Sequence, residues 1–496
     1  MGNKMKTLKD STVVNVLPKL LVAVVALLHS ICEAQTLLSG NISGTWSPSG
    51  NPYVITDNAT VPGGQTLTIQ PGVIVWIGSG RSIYVNGAIQ AVGTTALHIT
   101  FQPPVNSQFW NSFSVTNSGI NIFSYCDFVN ATNALAFSGT SSNQVNYCTF
   151  TNVSNTALSF KDLTTNQVVY STFHDVSNGI AVASGAYTLL YANIMNCSFS
   201  NCWGQAVSVG QGGWYGYNQE TLFATIKNCS FNVSGGGCSF YLGFVANGAL
   251  QIQDNIFKNV TNAAISLTAG NGAGSGSATL INNIIVNASN GVTFQDPWDA
   301  KAQDNIFVGC TNAASVTGSL SRSVSYNDFF GNMTNFVGYP STYGTIIIAN
   351  RNGTPCDLLY NIFQDPKFIS TNDCSLQTNS PCIDAGTPDV TYMDVSFPPS
   401  QGTGLPDLGI YGGPLAANWL PVMPITPAPI TLSVSRALKL TCNNVVVAGS
   451  YQIQSSTNLT SWANYGSQFY MTATSNLVQY VDATNNAGFF RLKSLP

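Results

Sequence analysis

Residues 147–155 read YCTFTNVSN and combine a cysteine, a phenylalanine and the glycosylation-acceptor triplet NVS. The pattern returns along the chain, with Cys, Ser or Asn two residues before a Phe or Ile, and usually Asn or Asp two residues after it. The central position falls at Phe128, Phe150, Phe173, Phe199, Phe231, Phe257, Ile285, Phe307, Phe329 and Phe363. Ten units at intervals of 22 residues (Phe128 to Phe150) to 34 residues (Phe329 to Phe363) indicate a solenoid.

The segments between these positions alternate apolar and polar residues, as in LQIQ (250–253), TLIN (279–282) and AISL (264–267). Alternation with a period of two predicts strands, and Gly and Asn mark the bends between them. About three short strands fit into 22 residues, which is one coil of a parallel β-helix. Helical repeats of similar length would show amphipathic helices, and none is predicted.

On these repeats the chain resembles the right-handed parallel β-helix proteins of the pectin-lyase-like superfamily, over about residues 40–415. The predicted fold is all-β: a right-handed parallel β-helix solenoid followed by a small C-terminal β-sandwich domain. That superfamily contains lyases, hydrolases, adhesins and non-catalytic repeats, so the resemblance implies a fold more strongly than an activity.

The positions two residues before each aromatic predict an inner column, because equivalent residues of successive coils stack about 4.8 Å apart. We expect a stack of reduced, buried thiols that continues as an asparagine ladder. Its members are Cys126, Cys148, Ser171, Cys197, Cys229, Asn255, Asn283, Asn305, Asn327 and Asn361. A disulfide is more credible among Cys356, Cys374 and Cys382, which lie in irregular sequence.

The chain divides into five predicted regions. Residues 1–34 have a basic start, a short apolar run at 20–28 and small residues before a cut after Ala34, as in a secretory signal; an uncleaved anchor is the alternative. The other regions are an N-terminal cap with the first coils (35–100), repeats (101–415), a proline-rich linker (416–430) and a β-sandwich module (431–496). The N-terminal cap and the module resemble those of secreted bacterial proteins, so we expect an extracellular or cell-surface location.

Composition limits the partners. The chain is 44% hydrophobic and only 7% charged, with 26 Phe, 20 Tyr and 8 Trp, so a large core is expected under a surface of Ser, Thr, Asn and Gly. A net charge of −4 leaves no basic footprint for nucleic acid or anionic membranes. We expect no membrane span after signal cleavage, no cofactor and no metal site; the oligomeric state is left open.

Candidate chemistry is sparse along the predicted coils. The strand after each Asn bend points small uncharged residues outward: Ala136, Ser159, Ala181, Ser208, Ser266, Thr293 and Ser315. His174 beside Asp175 is either a base or an ordinary surface histidine, and Asp296 with Asp299 is the best local carboxylate pair for a hydrolase. Two functions therefore stand: a non-catalytic glycan-binding or adhesive protein, or a polysaccharide lyase or glycoside hydrolase.

Two predicted loops carry the candidate ligand site. GQGGWYGYNQE (210–220) and QDPWDAK (295–301) occupy the same bend of the repeat, so we expect them on one edge, three coils or roughly 15 Å apart. An extracellular polysaccharide or cell-surface glycan would stack on aromatic platforms there and bond to carboxylates. The platforms are Trp214, Tyr215, Tyr217 and Trp298, and the acceptors are Asp296 and Asp299. The alternative is that the aromatic rings fold inward and cap the coil edge.

Overall fold

The structure is a computed structural model of the chain. It describes residues 35–495 apart from 107, 117–118, 140, 162–164, 185–188, 212–220, 243–246, 271–275, 297, 319–322, 371, 373, 420–436, 443–449, 471–476 and 483–488. The predicted signal, 1–34, and the predicted platforms Trp214, Tyr215 and Tyr217 lie outside the described residues.

Most of the described chain forms two long parallel sheets. Sheet A has 21 strands: β1 Thr36–Asn41, β3 Tyr53–Val61, β5 Ile74–Ile77, β6 Ser82–Val85, β8 Ile99–Gln102, β9 Ser112–Thr116, β11 Cys126–Ser138, β13 Thr149–Lys161, β15 Thr172–Ser184, β17 Ser198–Cys202, β18 Gln205–Gln211, β20 Ser230–Asn232, β21 Gly236–Leu242, β23 Ile256–Lys258, β24 Ala263–Ala269, β26 Ile284–Val286, β27 Asn290–Gln295, β29 Ile306–Val308, β30 Asn312–Thr317, β32 Asp328–Phe330 and β33 Thr334–Val337.

Sheet B has twelve strands, one from each coil: β2 Gly44–Trp46, β4 Thr66–Ile69, β7 Ala88–Val92, β10 Ile120–Ser124, β12 Ser142–Asn146, β14 Thr165–Val169, β16 Leu189–Met195, β19 Thr221–Lys227, β22 Asn247–Gln253, β25 Gly276–Ile281, β28 Trp298–Gln303 and β31 Ser323–Ser325. In each coil the chain runs through a sheet B strand, then the phenylalanine strand, then the flat outward strand. Every pairing between coils is parallel, for example β10 with β12 and β11 with β13. The predicted parallel β-helix of ten or more coils is confirmed.

The recurrent phenylalanines form a continuous stack inside the solenoid. From Phe128 through Phe150, Phe173, Phe199 and Phe231 to Phe257, ring centroids lie 4.5–4.9 Å apart and ring planes within 6°. All of these rings are buried. The spacing matches the rise of one coil, so each ring packs on its own repeat in the next coil.

The inner column is also as predicted. The Cys148 amide donates to Ser171 Oγ (3.2 Å), and the Cys229 amide donates to Asn255 Oδ1 (2.9 Å), where thiols give way to amides. Asn255, Asn283, Asn305 and Asn327 each donate from Nδ2 to the next asparagine Oδ1 at 2.9–3.1 Å. The cysteines of this column are buried free thiols.

The expected disulfide near the C-terminal end of the solenoid is wrong. Cys356 and Cys382 are both free thiols, so no bridge links any two of the three cysteines in that region. Instead, the Cys382 thiol lies 3.4 Å from Asp328 Oδ2 and donates to it. The irregular sequence there is held by hydrogen bonds and apolar packing.

The regular coils end at Val337 rather than near residue 415. Residues 338–419 hold two short antiparallel strands, β34 Ile348–Ala349 and β35 Pro355–Cys356, and 3₁₀ turns at Val390–Tyr392 and Ala416–Trp419; a third 3₁₀ turn, Pro48–Gly50, lies in the first coil. This C-terminal segment covers the outer side of the phenylalanine strands. Thr149, Thr172, Ser198 and Ser230 occupy the outward position in earlier coils, whereas Ile256, Ile284 and Ile306 occupy it where the segment packs.

Residues 422–496 form a second compact unit. Its described strands make two small antiparallel sheets, one of β36 Ala437–Cys442 with β39 Leu477–Asp482, and one of β37 Ser450–Ser456 between β38 Ala463–Tyr470 and β40 Phe489–Leu495. The predicted small C-terminal β-domain is thus present. In the described part of the chain, no helix is long and apolar enough to cross a membrane.

Candidate ligand-binding face

The outer face of sheet B carries polar and aromatic side chains. Strand β16 shows why: Ala192 and Ile194 point into the core, so Tyr191 and Asn193 point outward. The parallel register repeats this arrangement from coil to coil.

The central outward column of sheet B is a ladder of neutral amides and hydroxyls. Its members, in order, are Thr45, Thr68, Gln90, Ile122, Gln144, Gln167, Asn193, Thr225, Gln251, Thr279, Lys301 and Ser323. Ile122 and Lys301 are the exceptions in this column. Side chains that both donate and accept hydrogen bonds therefore follow one another at about 4.8 Å.

An exposed aromatic pair lies in the neighbouring outward column. Tyr191 and Phe223 are 41% and 38% exposed, and their rings stack at 5.1 Å with planes 10° apart. The column continues from Phe223 through Ala249 and Ser277 to Asp299. Two small residues therefore follow the aromatic pair, and the carboxylate of Asp299 comes three coils, or about 14 Å, beyond Phe223.

The two predicted site loops join the same pair of sheets. Residues 212–220 lie between β18 and β19, and residues 296–297 lie between β27 and β28. β18 and β27 are three coils apart in sheet A, as are β19 and β28 in sheet B. The strands that flank the two segments are therefore stacked in the same two sheets, and Tyr191 and Phe223 lie in the N-terminal half of β16 and β19.

Trp298 does not offer an exposed ring, so its prediction as a platform is wrong. The indole is fully buried, and its Nε1 donates to Thr268 O at 3.0 Å. Gly276 and Gly248 occupy the paired positions of the two preceding coils, and their missing side chains leave interior space that the indole fills. The inward-folded alternative holds for this residue.

The predicted loop 295–301 is mostly strand. WDAKAQ alternates inward Trp298, Ala300 and Ala302 with outward Asp299 and Lys301, which makes it β28. Asp299 is exposed on the outer face, beside Ser277. Asp296 lies in the turn, where its amide donates to Thr317 O and its carboxylate approaches Gly318 of the next coil.

The sequence analysis missed Tyr191 and Phe223. Their signal was the alternation in LLYANIM and TLFATIK, which predicts an outward ring in each strand. The flat face of sheet A is confirmed, since Ala136, Ser159, Ala181, Ser208, Ser239, Ser266, Thr293 and Ser315 are successive partners.

The candidate base His174 and three carboxylates of the C-terminal segment have ordinary structural partners. His174 accepts or donates a hydrogen bond at Nδ1 with Ser200 Oγ (2.8 Å) and contacts Asp175 Oδ2 through Nε2 (3.0 Å), on the outer side of the phenylalanine strands. Asp384, Asp389 and Asp407 accept backbone N–H groups of nearby turns. Among the described residues no three His, Cys, Asp or Glu side chains form a group able to hold a metal ion.

By its strand order the chain is a parallel β-helix. No protein-family model matches it, and no curated protein matches it in sequence. Among solved structures, it is similar to pectate lyase Pel9A at 15% sequence identity and a TM-score of 0.37, covering 70% of this chain and 89% of that one.

Proposed function

We propose that this protein is a secreted, non-catalytic glycan-binding or adhesive protein and that the outer face of sheet B is its binding surface. The observation that carries the proposal is the exposed Tyr191–Phe223 stack beside an amide and hydroxyl ladder. Sugars present C–H faces that pack on aromatic rings and hydroxyls that exchange hydrogen bonds with amides, so the two columns match the two kinds of sugar surface.

The small residues that follow Phe223 in its column leave room for a sugar ring on the sheet surface. Because Ala249 and Ser277 follow Phe223 in its column, a pyranose over them would continue the ring stack, with Asp299 as an acceptor at the far end. Gln251 and Thr279 lie beside these positions in the neighbouring column. Trp214, Tyr215 and Tyr217, in the segment before β19, remain proposed as further platforms, and Asp296 as a further acceptor.

The surface favours a neutral glycan. Amides and hydroxyls bond sugar hydroxyls without charge pairing, whereas an acidic glycan needs cations to neutralise its carboxylates. The alternative function, a polysaccharide lyase or glycoside hydrolase, takes its support from Lys301 and Asp299 on one exposed strand, where a cation and a carboxylate are two residues apart.

Glycan retention tests the proposal. Tyr191→Thr and Phe223→Thr place in β16 and β19 the residue type that β14 already carries at Thr165, so the coils should be preserved. We expect the double variant to lose at least about tenfold in affinity for the retained glycan. Tyr241→Ser, which removes an exposed ring from the flat face of sheet A, is the matched control.

Unchanged retention in the double variant would contradict the site. Product assays on the same glycan, by reducing ends and by ultraviolet absorbance of unsaturated sugars, separate binding from cleavage. Product formed by the wild type and lost in Lys301→Ala or Asp299→Asn would replace the binding proposal with the enzymatic alternative.

A further inference from the structure

One outward edge of the solenoid is a column of residues in the left-handed backbone conformation, between each sheet B strand and the following phenylalanine strand. The members of this left-handed column have φ of 51–62° and are Tyr125, Tyr147, Tyr170, Asn196, Asn228, Asp254, Asn282, Asp304, Tyr326 and Tyr360. Asn and Asp tolerate this conformation, whereas tyrosine is uncommon there. The tyrosines are therefore a feature that the turn itself does not require.

The middle of this column already binds polypeptide. The C-terminal segment reaches it through the Thr387 amide, which donates to Asp304 Oδ1 (2.7 Å), and through Gly409 O, which accepts from Asn282 Nδ2 (3.0 Å). Trp419 Nε1 then donates to Asp254 O at 2.8 Å. The edge thus offers backbone and side-chain groups that bind polypeptide, here the bends and the 3₁₀ turn of residues 409–419.

Beyond this interface the column becomes a row of exposed rings. Tyr125, Tyr147 and Tyr170 stack at 4.7 and 4.8 Å with planes 3° and 5° apart, and Tyr147 and Tyr170 are 41% and 52% exposed. We call these three residues the tyrosine ladder. His98, paired with Asp127 at 3.1 Å, tilts against the ring of Tyr125 and closes one end.

We propose that the tyrosine ladder is a docking strip for a proline-rich segment of a partner polypeptide in the polyproline II conformation. Polyproline II repeats every three residues at about 3.1 Å each, or about 9.3 Å per turn. Two coils of the solenoid advance about 9.6 Å. A P-x-x-P segment along the axis would therefore bring successive prolines to Tyr125 and Tyr170, which lie two coils apart on either side of Tyr147.

The chemistry of the strip matches that ligand. Proline rings pack on aromatic side chains, and the carbonyls of a polyproline II chain have no internal partners, so they accept hydrogen bonds from tyrosine hydroxyls. The strip also belongs to the same left-handed column as the residues that bind the C-terminal segment. The inference is independent of glycan binding, which is assigned to the outer face of sheet B.

A peptide with this proline spacing exists in the sequence itself. PVMPITPAPI (421–430) places Pro421, Pro424 and Pro427 three residues apart. The synthetic acetylated peptide of that sequence is therefore a suitable probe, with a same-composition peptide that clusters the prolines as its control. Binding to the full chain is measured by fluorescence anisotropy of the labelled peptide.

The decisive variant is Tyr147→Asn with Tyr170→Asn. Asparagine occupies the same left-handed position at Asn196, Asn228 and Asn282, so the coils should keep their backbone. We expect at least about a tenfold loss of peptide affinity in this variant, none in Tyr241→Ser, and weaker binding of the clustered-proline peptide.

Three results would overturn the proposal. The first is equal affinity of the wild type and the double variant for the peptide. The second is that the wild type does not bind the peptide, whereas the variant with Pro421, Pro424 and Pro427 changed to serine does. The strip would then be occupied by the protein's own proline-rich segment. The third is loss of glycan retention in the double variant without any peptide binding, which would make the ladder a sugar site.

Discussion

Trp298 shows how a single side chain is placed by residues one and two coils away. A Cβ on Gly276 would lie 2.5 Å from Trp298 Cε3 and 2.7 Å from Leu242 Cδ1. Such distances force side chains to move in a packed core. The missing methyl group is therefore what admits the indole.

Gly276→Ala should consequently lower the free energy of unfolding by about 1–3 kcal/mol through overpacking. Gly210→Ala is the control, because a Cβ there has only Tyr241 Cβ nearby, at 3.9 Å. Denaturant unfolding monitored by tryptophan fluorescence measures both. Equal stability of Gly276→Ala and the wild type would show that the indole can shift without cost.

The inner column makes a second prediction at this scale. Asn305 Oδ1 accepts from both the amide and Nδ2 of Asn283 (2.9 Å each), and Asn305 Nδ2 donates to Leu280 O (3.0 Å) and Gln303 O (2.8 Å). Asn305→Leu leaves several buried groups unsatisfied and should destabilise by about 3 kcal/mol or more. Cys148→Ser should cost much less, since Ser171 already occupies that column. Thermal unfolding of the two variants compares them.

At the scale of the element, buried carboxyls hold the C-terminal segment: Asp328 of β32 binds it to the coils, and Asp394 and Asp407 accept hydrogen bonds from amides within the segment. Burial raises the pKa of Asp328 to about 8, although the Gln364 amide and the Cys382 thiol, which donate to it, oppose the shift. Burial also raises the pKa of Asp394 to about 8 and of Asp407 to about 7. These groups are neutral in the folded protein where ordinary carboxyls are charged.

Because each folded pKa lies above the unfolded value of about 3.9, the stabilisation is complete below pH 4 and is lost as pH rises towards 8. We expect the free energy of unfolding to fall from pH 5 to pH 8, by up to about 1.4 kcal/mol per pH unit for each group in this interval, and the thermal midpoint to fall with it. Asp328→Asn should flatten the profile. Exposed Asp299→Asn should not, and calorimetry across pH distinguishes the two. A midpoint that rises over this interval would contradict the assignment.

The sequence itself distinguishes the phenylalanine strands that the C-terminal segment covers from those that it leaves exposed. The outward position changes from Ser230 to Ile256 where the C-terminal segment begins to cover it. The end of the coils was harder to predict, because YNIFQD at 360–365 keeps the repeat pattern. Its Asn361 and Ile362 do extend the column, but only as one last rung on Asn327.

At the scale of the whole molecule, period and composition predicted the solenoid because each coil repeats one residue pattern. The same regularity could not place Trp298, whose position depends on glycines 22 and 50 residues earlier in the chain (298 − 276 and 298 − 248). Nor did it reveal the Tyr191–Phe223 pair, since those rings align only once the loop lengths between coils are known. The features that every coil repeats were predictable, whereas contacts that depend on how particular residues of different coils align were not.

The two compact units give a prediction for the molecule as a whole. A chain ending at Pro421 retains both parallel sheets and the C-terminal segment, so it should unfold at the same temperature as the solenoid of the full chain. Circular dichroism and calorimetry of the shortened chain provide the measurement. A lowered midpoint, or aggregation of the shortened chain, would show that the second unit stabilises the first.

The interchange of Cys, Ser and Asn along the inner column bears on how such a protein changes length over generations. Asn283, Asn305 and Asn327 are each 22 residues apart, and each meets its neighbour through the same amide bonds. A tandem duplication or loss of 22 codons would place one asparagine of the inner column next to another and leave the column in register. Descendants of one ancestral gene could therefore differ by whole coils while sharing both ends.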